Sequence, residues 1–326
     1  MSSVRVRSIA ILAILAALSF ENCPRCCFAE EPFTRKVDVI YGRKFGTALT
    51  LDVFTPRGKP NGAAVIIMVS GGFVSNHDSI QPAFVLPFVN RGYTVFAVVH
   101  GSQPKFTVPE IVADVNRAVR FIRYHAKEYG IDPDRVGVTG ASAGGHLSLM
   151  LGTAGTPGDP NARDPVDRES SRVQAVACFF PPTDFFNYGG PGKEFLHAKD
   201  HNPPFRAAFQ YEKLDPESRM WVEVKDEEAL RKIAREVSPL YHASADDPPT
   251  LLIHGDADPL VPLQQSEAMV QALKKAGVKA ELVVKPKGGH GWPTIVLDVN
   301  RLADWFDEHL KPTSGEGKPP TERAVP

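Results

Sequence analysis

The chain has 326 residues, of which 43% are hydrophobic and 23% are charged, and its formal net charge is -1. This balance is that of a globular protein with enough length for one large α/β domain or two small ones. The near-neutral charge gives no basis for predicting nucleic acid or an acidic membrane surface as a partner.

The N-terminal residues have the pattern of a secretory signal. Arg5 and Arg7 precede an apolar run over residues 9–20, and a polar stretch then ends at Ala29. The apolar run is shorter than a membrane-spanning helix requires. We therefore predict a signal peptide over residues 1–29, cleaved after Ala29, and a secreted or periplasmic protein with no stable membrane insertion after cleavage. An uncleaved anchor is the alternative.

Three of the four cysteines, Cys23, Cys26 and Cys27, fall within this signal, which leaves Cys178 alone in the mature chain. Cys23 and Cys26 have Cys-x-x-Cys spacing, but neither a βαβ pattern nor a second ligand pair accompanies them. We therefore predict neither a redox site nor a zinc site there. Cys178 lies in an apolar run and is predicted to be a small core residue.

The mature chain begins with strands and continues with alternating strands and helices. Residues 37–40 and 49–54 alternate polar and apolar side chains and predict two antiparallel edge strands, joined through Gly42 and Gly46. The strands predicted after them are residues 63–69, 94–99, 136–139, 173–180, 251–254 and 280–285, and the helices are residues 82–91, 109–129, 146–151, 226–237, 263–276 and 295–310. This alternation predicts an α/β fold with a mostly parallel central sheet and helices on both faces.

A long irregular region follows the sixth predicted strand. Proline, glycine and aromatic residues are frequent over residues 181–249. Connections of this length are usually functional, so we predict an insertion beside the active site that forms a partial lid. A separate domain is the alternative. The globular domain is predicted over residues 30–311, and residues 312–326, rich in proline and charge, are predicted to form a disordered tail.

Residues 140–146 read Gly-Ala-Ser-Ala-Gly-Gly-His and lie between a predicted strand and a predicted helix. Gly-x-Ser-x-Gly alone is weak evidence, but in this context it predicts a strained turn in which glycines remove β-carbons that would clash. The turn exposes the Ser142 hydroxyl and leaves the Ala143 N–H free at a helix N-terminus, where it can stabilise an oxyanion. We predict Ser142 as a nucleophile and Ala143 as an oxyanion-hole donor.

A base and an acid are expected on loops at the carboxyl ends of later strands. His290 lies between glycines after the last predicted strand and is the predicted base. Asp256 and Asp258 both follow the strand over residues 251–254. We predict Asp258 as the acid because it lies further out in the loop, whereas Asp256 is expected to hold the turn through backbone hydrogen bonds. Helix capping is the alternative role for Asp258.

A second oxyanion-hole donor is expected after the strand over residues 63–69. The segment that follows, residues 70–73, reads Ser-Gly-Gly-Phe. Glycines there allow backbone amides to face a substrate carbonyl, and we predict Gly72 as the donor. A plain Gly-Gly turn is the alternative.

These motifs together resemble those of the α/β-hydrolase superfamily, and within it the esterase and lipase group that includes feruloyl-esterase-like and acetyl-esterase-like proteins. The matching segments are residues 129–135, 140–146, 254–258, 261–262 and 289–291. The resemblance implies the α/β-hydrolase fold and the roles given above for the serine, acid, base and oxyanion donors. It extends over roughly residues 37–310 and is specific for fold rather than for substrate.

The sequence departs from this family at one position of the oxyanion loop. The family usually has His-Gly-Gly where this chain has Ser70-Gly71-Gly72. The backbone donors are retained, but the histidine that usually braces the loop is missing.

The predicted function is therefore that of a secreted serine carboxylic-ester hydrolase. The resemblance implies acetyl or feruloyl esters, small or linked to polysaccharide, as substrates. No metal or organic cofactor is expected, because the triad and oxyanion groups supply the usual chemistry and no metal-ligand spacing is present. The sequence does not predict an oligomeric state.

Two other functions are compatible with the same residues. An exported peptidase or amidase of the prolyl-oligopeptidase type would use the same triad, but such proteins normally carry a large N-terminal propeller. We expect no propeller here because only a short segment precedes the first predicted strand. A non-catalytic binding protein on a hydrolase scaffold would be indicated by loss of a triad residue, and none is lost. The residues that could line a substrate pocket, without being assigned to it, are His100, Phe106, Phe185, Phe186, Tyr188 and Trp292.

Overall fold

An eight-stranded mixed sheet dominates the computed structural model, which describes residues 30–310 and residue 312. The predicted signal peptide and, apart from Pro312, the predicted tail lie outside the described residues. The helices and strands of the described part all belong to a unit that begins at Pro32.

The strands, in chain order, are β1 Phe33–Lys44, β2 Thr47–Pro56, β3 Ala64–Val69, β4 Thr94–Val99, β5 Val136–Gly140, β6 Ala175–Phe179, β7 Glu212–Leu214, β8 Trp221–Glu223, β9 Thr250–Gly255 and β10 Ala280–Lys285. The α-helices are α1 Pro82–Val89, α2 Val108–Tyr124, α3 Ala126–Tyr129, α4 Ala143–Ala154, α5 Glu227–Glu236, α6 Gln264–Lys275 and α7 Ile295–His309. The helix predicted over residues 109–129 is thus interrupted at His125, where α2 ends and α3 begins.

The order of strands in the main sheet is β1-β2-β4-β3-β5-β6-β9-β10. β1 and β2 are antiparallel, β2 and β4 are antiparallel, and the remaining neighbours are parallel. The predicted α/β-hydrolase fold, with its mostly parallel sheet and an irregular region after the sixth strand, is confirmed. The parallel strands end at one edge, and the loops that follow them meet there.

The prediction that both of the first two strands are edge strands is wrong for β2. β2 lies between β1 and β4, and its residues 51–54 are all buried, so both of its faces are covered. Gly42 does not lie in the turn but within β1, beside an irregularity in the pairing with β2.

Helices cover both faces of the sheet, as the alternation predicts. Successive side chains of a strand point to opposite faces, and Val65 and Ile66 of β3 accordingly belong to two different hydrophobic clusters. One cluster contains residues of α1 and α7, and the other contains residues of α2, α4 and α6. Within the described residues, no helix combines the length and apolar character required to cross a membrane.

The insertion region, residues 181–249, contains short 3-10 helices, the small β7–β8 sheet and α5. The helix predicted at residues 226–237 corresponds to α5. Its N-cap Asp226 accepts a hydrogen bond from the Ala229 N–H, and Leu230 and Ala234 form its buried face. This region leaves the sheet after β6 and returns before β9.

Candidate active site

Ser142 lies at the sharp turn between β5 and α4. Its φ of 56° and ψ of -119° are outside the regions that L-residues ordinarily adopt, so the backbone is strained at this point. The strand-to-helix turn is possible because Gly140 and Gly144 lack side chains. A β-carbon on Gly140 would lie 2.5 Å from the Gly144 backbone, and one on Gly144 would lie 2.5 Å from the Met68 carbonyl oxygen.

His290 and Asp258 extend from Ser142 in a hydrogen-bonded series. The Ser142 Oγ lies 2.9 Å from His290 Nε2, and His290 Nδ1 lies 2.8 Å from Asp258 Oδ2. Because an ionised carboxylate only accepts hydrogen bonds, Nδ1 carries the ring proton and Nε2 is free to accept from the serine hydroxyl. The structure therefore brings together the three side chains predicted from sequence, which come from loops after β5, β9 and β10.

The Asp258 carboxylate is held in place from several directions. Its Oδ1 accepts hydrogen bonds from the backbone N–H groups of Leu260 and Val261, at 2.8 and 2.9 Å. Burial alone would raise the pKa of Asp258, but hydrogen bonds from His254, His290 and these amides outweigh it and hold the pKa well below its usual range. The carboxylate is therefore ionised at neutral pH. Helix capping, the alternative role for Asp258, is not observed, because the next helix, α6, begins only at Gln264 and has no side-chain cap. Oδ2 contacts His290, whereas Oδ1 holds the loop through the two amides.

Asp256 makes the backbone contact expected of it. Its Oδ1 accepts a hydrogen bond from the Lys287 N–H at 2.6 Å, which ties the loop after β9 to the loop after β10. Asp256 is exposed, whereas the Asp258 side chain is fully buried.

Gly72 and Ala143 line one cavity with Ser142, and its volume is about 60 Å³. Within the described residues, neither the Gly72 N–H nor the Ala143 N–H donates to a protein acceptor. Ala143 opens α4, where the first N–H groups of a helix lack intrahelical partners. Both amides are thus available to a bound carbonyl oxygen.

A histidine from another part of the chain braces the oxyanion loop, and it directly follows the neighbouring strand β4. His100 Nε2 is 2.8 Å from Ser70 Oγ, and His100 Nδ1 is 2.7 Å from the Gly101 carbonyl oxygen. Burial lowers the pKa of His100 to about 4, so the ring is neutral at pH 7. Nδ1–H donates to Gly101, and Nε2 accepts from the Ser70 hydroxyl.

The contact between Ser70 and His100 was not predicted, but the sequence contains a signal for it. β3 and β4 are parallel neighbours in which Val69 pairs with Val99. Residues 70 and 100 directly follow this pair, so a serine and a histidine at these positions are neighbours at the sheet edge.

The remaining cavity walls come mainly from the insertion region. Of the candidate lining residues named from sequence, only Phe185 and Tyr188 line this cavity. Trp292 instead packs on Phe179 and Phe180. The cavity-lining residues that the sequence did not indicate include Phe73, Phe195, His201, Asn202, Phe205 and Phe209.

Among the described residues, one group could offer three metal ligands: Asp38, Asp52 and His77. These side chains already pair with one another and with Arg35, whose Nη2 lies 2.5 Å from Asp52 Oδ2. None of the four residues lines the cavity beside Ser142.

A serine at a strained strand-to-helix turn, joined through histidine to aspartate at the edge of a mostly parallel sheet, defines the α/β-hydrolase class. The BD-FAE family model matches residues 51–273, and the chain belongs to that family.

Comparison with curated proteins confirms the resemblance to the esterase and lipase group. The chain is 31% identical over 242 residues to "Probable carboxylic ester hydrolase LipM" of Mycobacterium tuberculosis. The aligned region covers 73% of this chain and 51% of LipM. The chain spans about half the length of this relative and of the next, esterase LipQ.

Two solved structures match nearly over their full lengths. A truncated carbohydrate esterase from gut microbiota has a TM-score of 0.70 and 27% identity, covering 86% of this chain and 98% of that one. An acetyl ester-xyloside bifunctional hydrolase from Caldicellulosiruptor lactoaceticus has a TM-score of 0.66 and 25% identity, covering 83% and 95%.

Proposed function

We propose that this protein is a serine carboxylic-ester hydrolase in which Ser142, His290 and Asp258 form the catalytic triad. The observation that carries the proposal is the hydrogen-bonded series from the Ser142 hydroxyl through His290 to the Asp258 carboxylate. The strained backbone at Ser142 supports it, since such strain is concentrated at functional positions.

Each group has a defined part in acyl transfer. Ser142 Oγ attacks the ester carbonyl while His290 Nε2 takes its proton, and Asp258 stabilises the resulting imidazolium. The Gly72 and Ala143 N–H groups stabilise the oxyanion of the tetrahedral intermediate. His290 then protonates the leaving alcohol, and a water molecule repeats the sequence to release the acid from the acyl-enzyme.

For the substrate, we propose acetyl or feruloyl esters of carbohydrates, either small or linked to polysaccharide. Two similar structures are named as a carbohydrate esterase and an acetyl ester-xyloside hydrolase, which supports this choice. The insertion region supplies most walls of the cavity beside Ser142, which supports its role as a partial lid.

We further propose that residues 1–29 act as a signal peptide, so that the enzyme works outside the cytoplasm. The charged start, apolar run and terminal Ala29 support this. Expression of the full chain followed by N-terminal sequencing of the exported product tests it. The expected first residue is Glu30, and an intact N-terminus in the membrane fraction would indicate an uncleaved anchor instead.

The activity is tested by turnover of p-nitrophenyl acetate by protein starting at Glu30, compared with Ser142→Ala. Removal of the nucleophile is expected to lower kcat by about a thousandfold or more. Ser148→Ala is the matched control, because Ser148 lies in α4, which begins directly after Ser142, and its hydroxyl donates to the Gly144 carbonyl oxygen. Equal activity in wild type and Ser142→Ala would refute Ser142 as the nucleophile. Turnover of peptide amides but not esters would favour a peptidase, and no turnover of either would favour a binding protein.

A further inference from the structure

The insertion region places one aromatic ring directly against the oxyanion loop. Phe205 lies in the 3-10 helix Pro203–Phe209. Two carbons of its ring lie 2.5 Å from the position that a β-carbon on Gly72 would occupy. The ring therefore rests on the Gly72 backbone, and this contact is possible because residue 72 is glycine.

This contact makes Phe205 one wall of a small cavity. Phe205, Gly72, Ser142 and Ala143 line the same cavity of about 60 Å³. An engineered cavity of about 150 Å³ holds benzene, with six carbons, so a cavity of this size holds roughly two or three non-hydrogen atoms. An acetyl group has three such atoms, a butyryl group has five, and a feruloyl group has many more.

Phe205 differs from the other aromatic walls in its relation to the hydrophobic core, because it belongs to neither core cluster and is not packed against one. Phe73, Phe185 and Phe209 are almost fully buried in the core, and Phe73 and Phe185 each pack edge to face on Phe209. Phe205 is only partly buried. Tyr188 and Phe195 are also partly buried but pack against the core, so Phe205 is the aromatic wall whose replacement should disturb the core least.

Gln103 forms hydrogen bonds to both segments that meet in this contact, the oxyanion loop at Gly72 and the short helix that carries Phe205. Its Nε2 donates to the carbonyl oxygens of Gly72 and of Pro204, the latter at 2.9 Å. Its Oε1 accepts from the Ala208 N–H at 3.2 Å. One nearly buried amide thus holds both the oxyanion loop and the short helix that carries Phe205.

We propose that Phe205 is a specificity-determining residue that limits the acyl group to acetyl, and that Gln103 is the positioning residue that holds Phe205 against Gly72. The inference rests on the proposed function, since it takes Ser142 as the nucleophile and the adjacent cavity as the acyl site. It narrows the substrates to acetyl esters and excludes feruloyl as the acyl group. The alcohol part of the substrate lies outside this cavity.

The test compares kcat/KM for the p-nitrophenyl esters of acetate, butyrate and hexanoate. A methylene group that gains or loses its place in an apolar pocket changes kcat/KM by about 10- to 200-fold. We expect wild type to prefer acetate over butyrate by at least about tenfold. Phe205→Ala should reduce that preference by at least about tenfold, mainly through faster butyrate turnover.

Phe186→Ala is the matched control. Phe186 is an aromatic residue of the same insertion region, but it packs on Tyr241 and does not line the cavity. Its replacement should leave the acetate-to-butyrate ratio unchanged. If Phe205→Ala fails to fold, Phe205→Leu provides the same readout, and Phe205→Trp should lower turnover of acetate by filling the cavity.

The role of Gln103 is tested by Gln103→Leu, alone and combined with Phe205→Ala. Gln103→Leu should shift the acetate-to-butyrate ratio in the same direction as Phe205→Ala, which a general loss of stability would not do. In the double variant it should add no further shift, because the residue through which it acts is gone. Additive shifts in the ratio would show that Gln103 acts independently of Phe205.

Failure of this inference differs from failure of the proposed function. Equal turnover of acetate and butyrate by wild type, or an unchanged ratio in both Phe205→Ala and Phe205→Leu, would overturn the acyl-size role and leave Ser142 as nucleophile. Ester turnover that survives in Ser142→Ala would instead overturn the proposed function, and the acyl-site inference with it.

Discussion

The two sides of the cavity beside Ser142 are held by different kinds of structure. On one side, Ser142, Asp258 and His290 lie on short loops at the ends of parallel strands, whose backbone hydrogen bonds fix their positions. On the other side, the insertion region has little regular structure and presents aromatic side chains. The difference suggests a division in which backbone geometry serves the chemistry and side-chain packing serves substrate selection.

A few buried side chains join the insertion region to the helices and loops beside the sheet. Gln265 Oε1 accepts from the backbone N–H groups of Thr183 and Asp184, both at 2.8 Å. His146 lies in α4, close to the sharp turn at Ser142, and its Nε2 is 2.6 Å from the Val237 carbonyl oxygen. With Gln103, these contacts act on the start, middle and end of the insertion region. The division can therefore be tested by substitutions at the sheet edge that carries Ser142, Asp258 and His290, or at the contacts between this edge and the insertion region.

The largest expected effect is at the edge. Asp258→Asn keeps the shape of the side chain but removes the charge that selects the ring tautomer of His290. Such a change lowers kcat by about 10⁴-fold in a serine protease triad, and we expect a loss of similar size for p-nitrophenyl acetate turnover.

Asp256→Asn is the matched control for this change. An asparagine oxygen can still accept from the Lys287 N–H, so kcat should stay close to that of wild type. A larger loss for Asp256→Asn than for Asp258→Asn would reverse the assignment of the acid.

The next largest effect is expected on stability, at the contact between Gly72 of the oxyanion loop and Phe205 of the insertion region. Gly72→Ala introduces a β-carbon that collides with Phe205, at a residue whose φ is 56°. Backbone strain of this kind costs about 1–3 kcal/mol, so we expect the free energy of unfolding, measured in urea, to fall by that amount. Gly71→Ala has open space around its β-carbon and should change little. Equal destabilisation by both variants would mean that the loop does not depend on its contact with the insertion region.

A smaller effect is expected where His100 braces the oxyanion loop. Ser70→Ala removes one hydrogen bond, which is worth about 1 kcal/mol, or roughly a fivefold change in rate if it acts on the transition state. We expect kcat to fall with little change in KM, because the loop carries an oxyanion donor rather than a substrate-binding side chain. Ser70→Thr retains the hydroxyl and should restore most of the loss. A change confined to KM would contradict the proposed role of the loop.

The last effect concerns the pH dependence of stability at His146, which contacts the end of the insertion region. Burial lowers the pKa of His146 to about 4, whereas an unfolded histidine has a pKa of about 6.5. Between these values the unfolded chain binds more protons than the folded one. The free energy of unfolding is therefore not reduced by His146 above about pH 6.5. It falls as the pH is lowered towards 4, by at most about 1.4 kcal/mol per pH unit.

Urea unfolding of His146→Gln from pH 7 to pH 4.5 tests this linkage. A glutamine can donate to the Val237 carbonyl oxygen without titrating, so the dependence of stability on pH should become shallower than in wild type. His125→Gln is the control, since His125 is partly exposed and lies outside this contact. An unchanged pH dependence in His146→Gln would contradict the prediction.

The sequence was sufficient to predict one side of this comparison. Glycines around Ser142 and His290, together with strands that precede each loop, placed these residues and Asp258 at one edge because parallel strands end together. In the structure, hydrogen bonds connect Ser142 to His290 and His290 to Asp258. The catalytic roles of the three residues stay a prediction. The position of β2 was not predicted, because alternation alone does not distinguish a strand at the edge from one covered by the next strand.

The other side could not be predicted from local patterns. Gln103 and Pro204 are 101 positions apart, and their hydrogen bond depends on how the irregular chain folds back. No periodicity marks Phe205, since its 3-10 helix is short and its ring contacts a glycine. The region could be recognised as irregular and aromatic, but the residue that contacts the oxyanion loop could not be identified.

The topology around the insertion region also bears on how such enzymes diversify. β6 and β9 are parallel neighbours, so the chain must travel back along the sheet before β9 begins. Removing residues 181–249 would leave ends separated by about the length of β9, or roughly 20 Å for a strand of six residues. α5 lies on this return path and must be kept or replaced by another crossover helix. All the insertion residues that line the cavity lie within residues 181–226, before α5. We therefore expect changes in this one segment to alter the proposed acyl preference while Ser142, Asp258 and His290 stay unchanged.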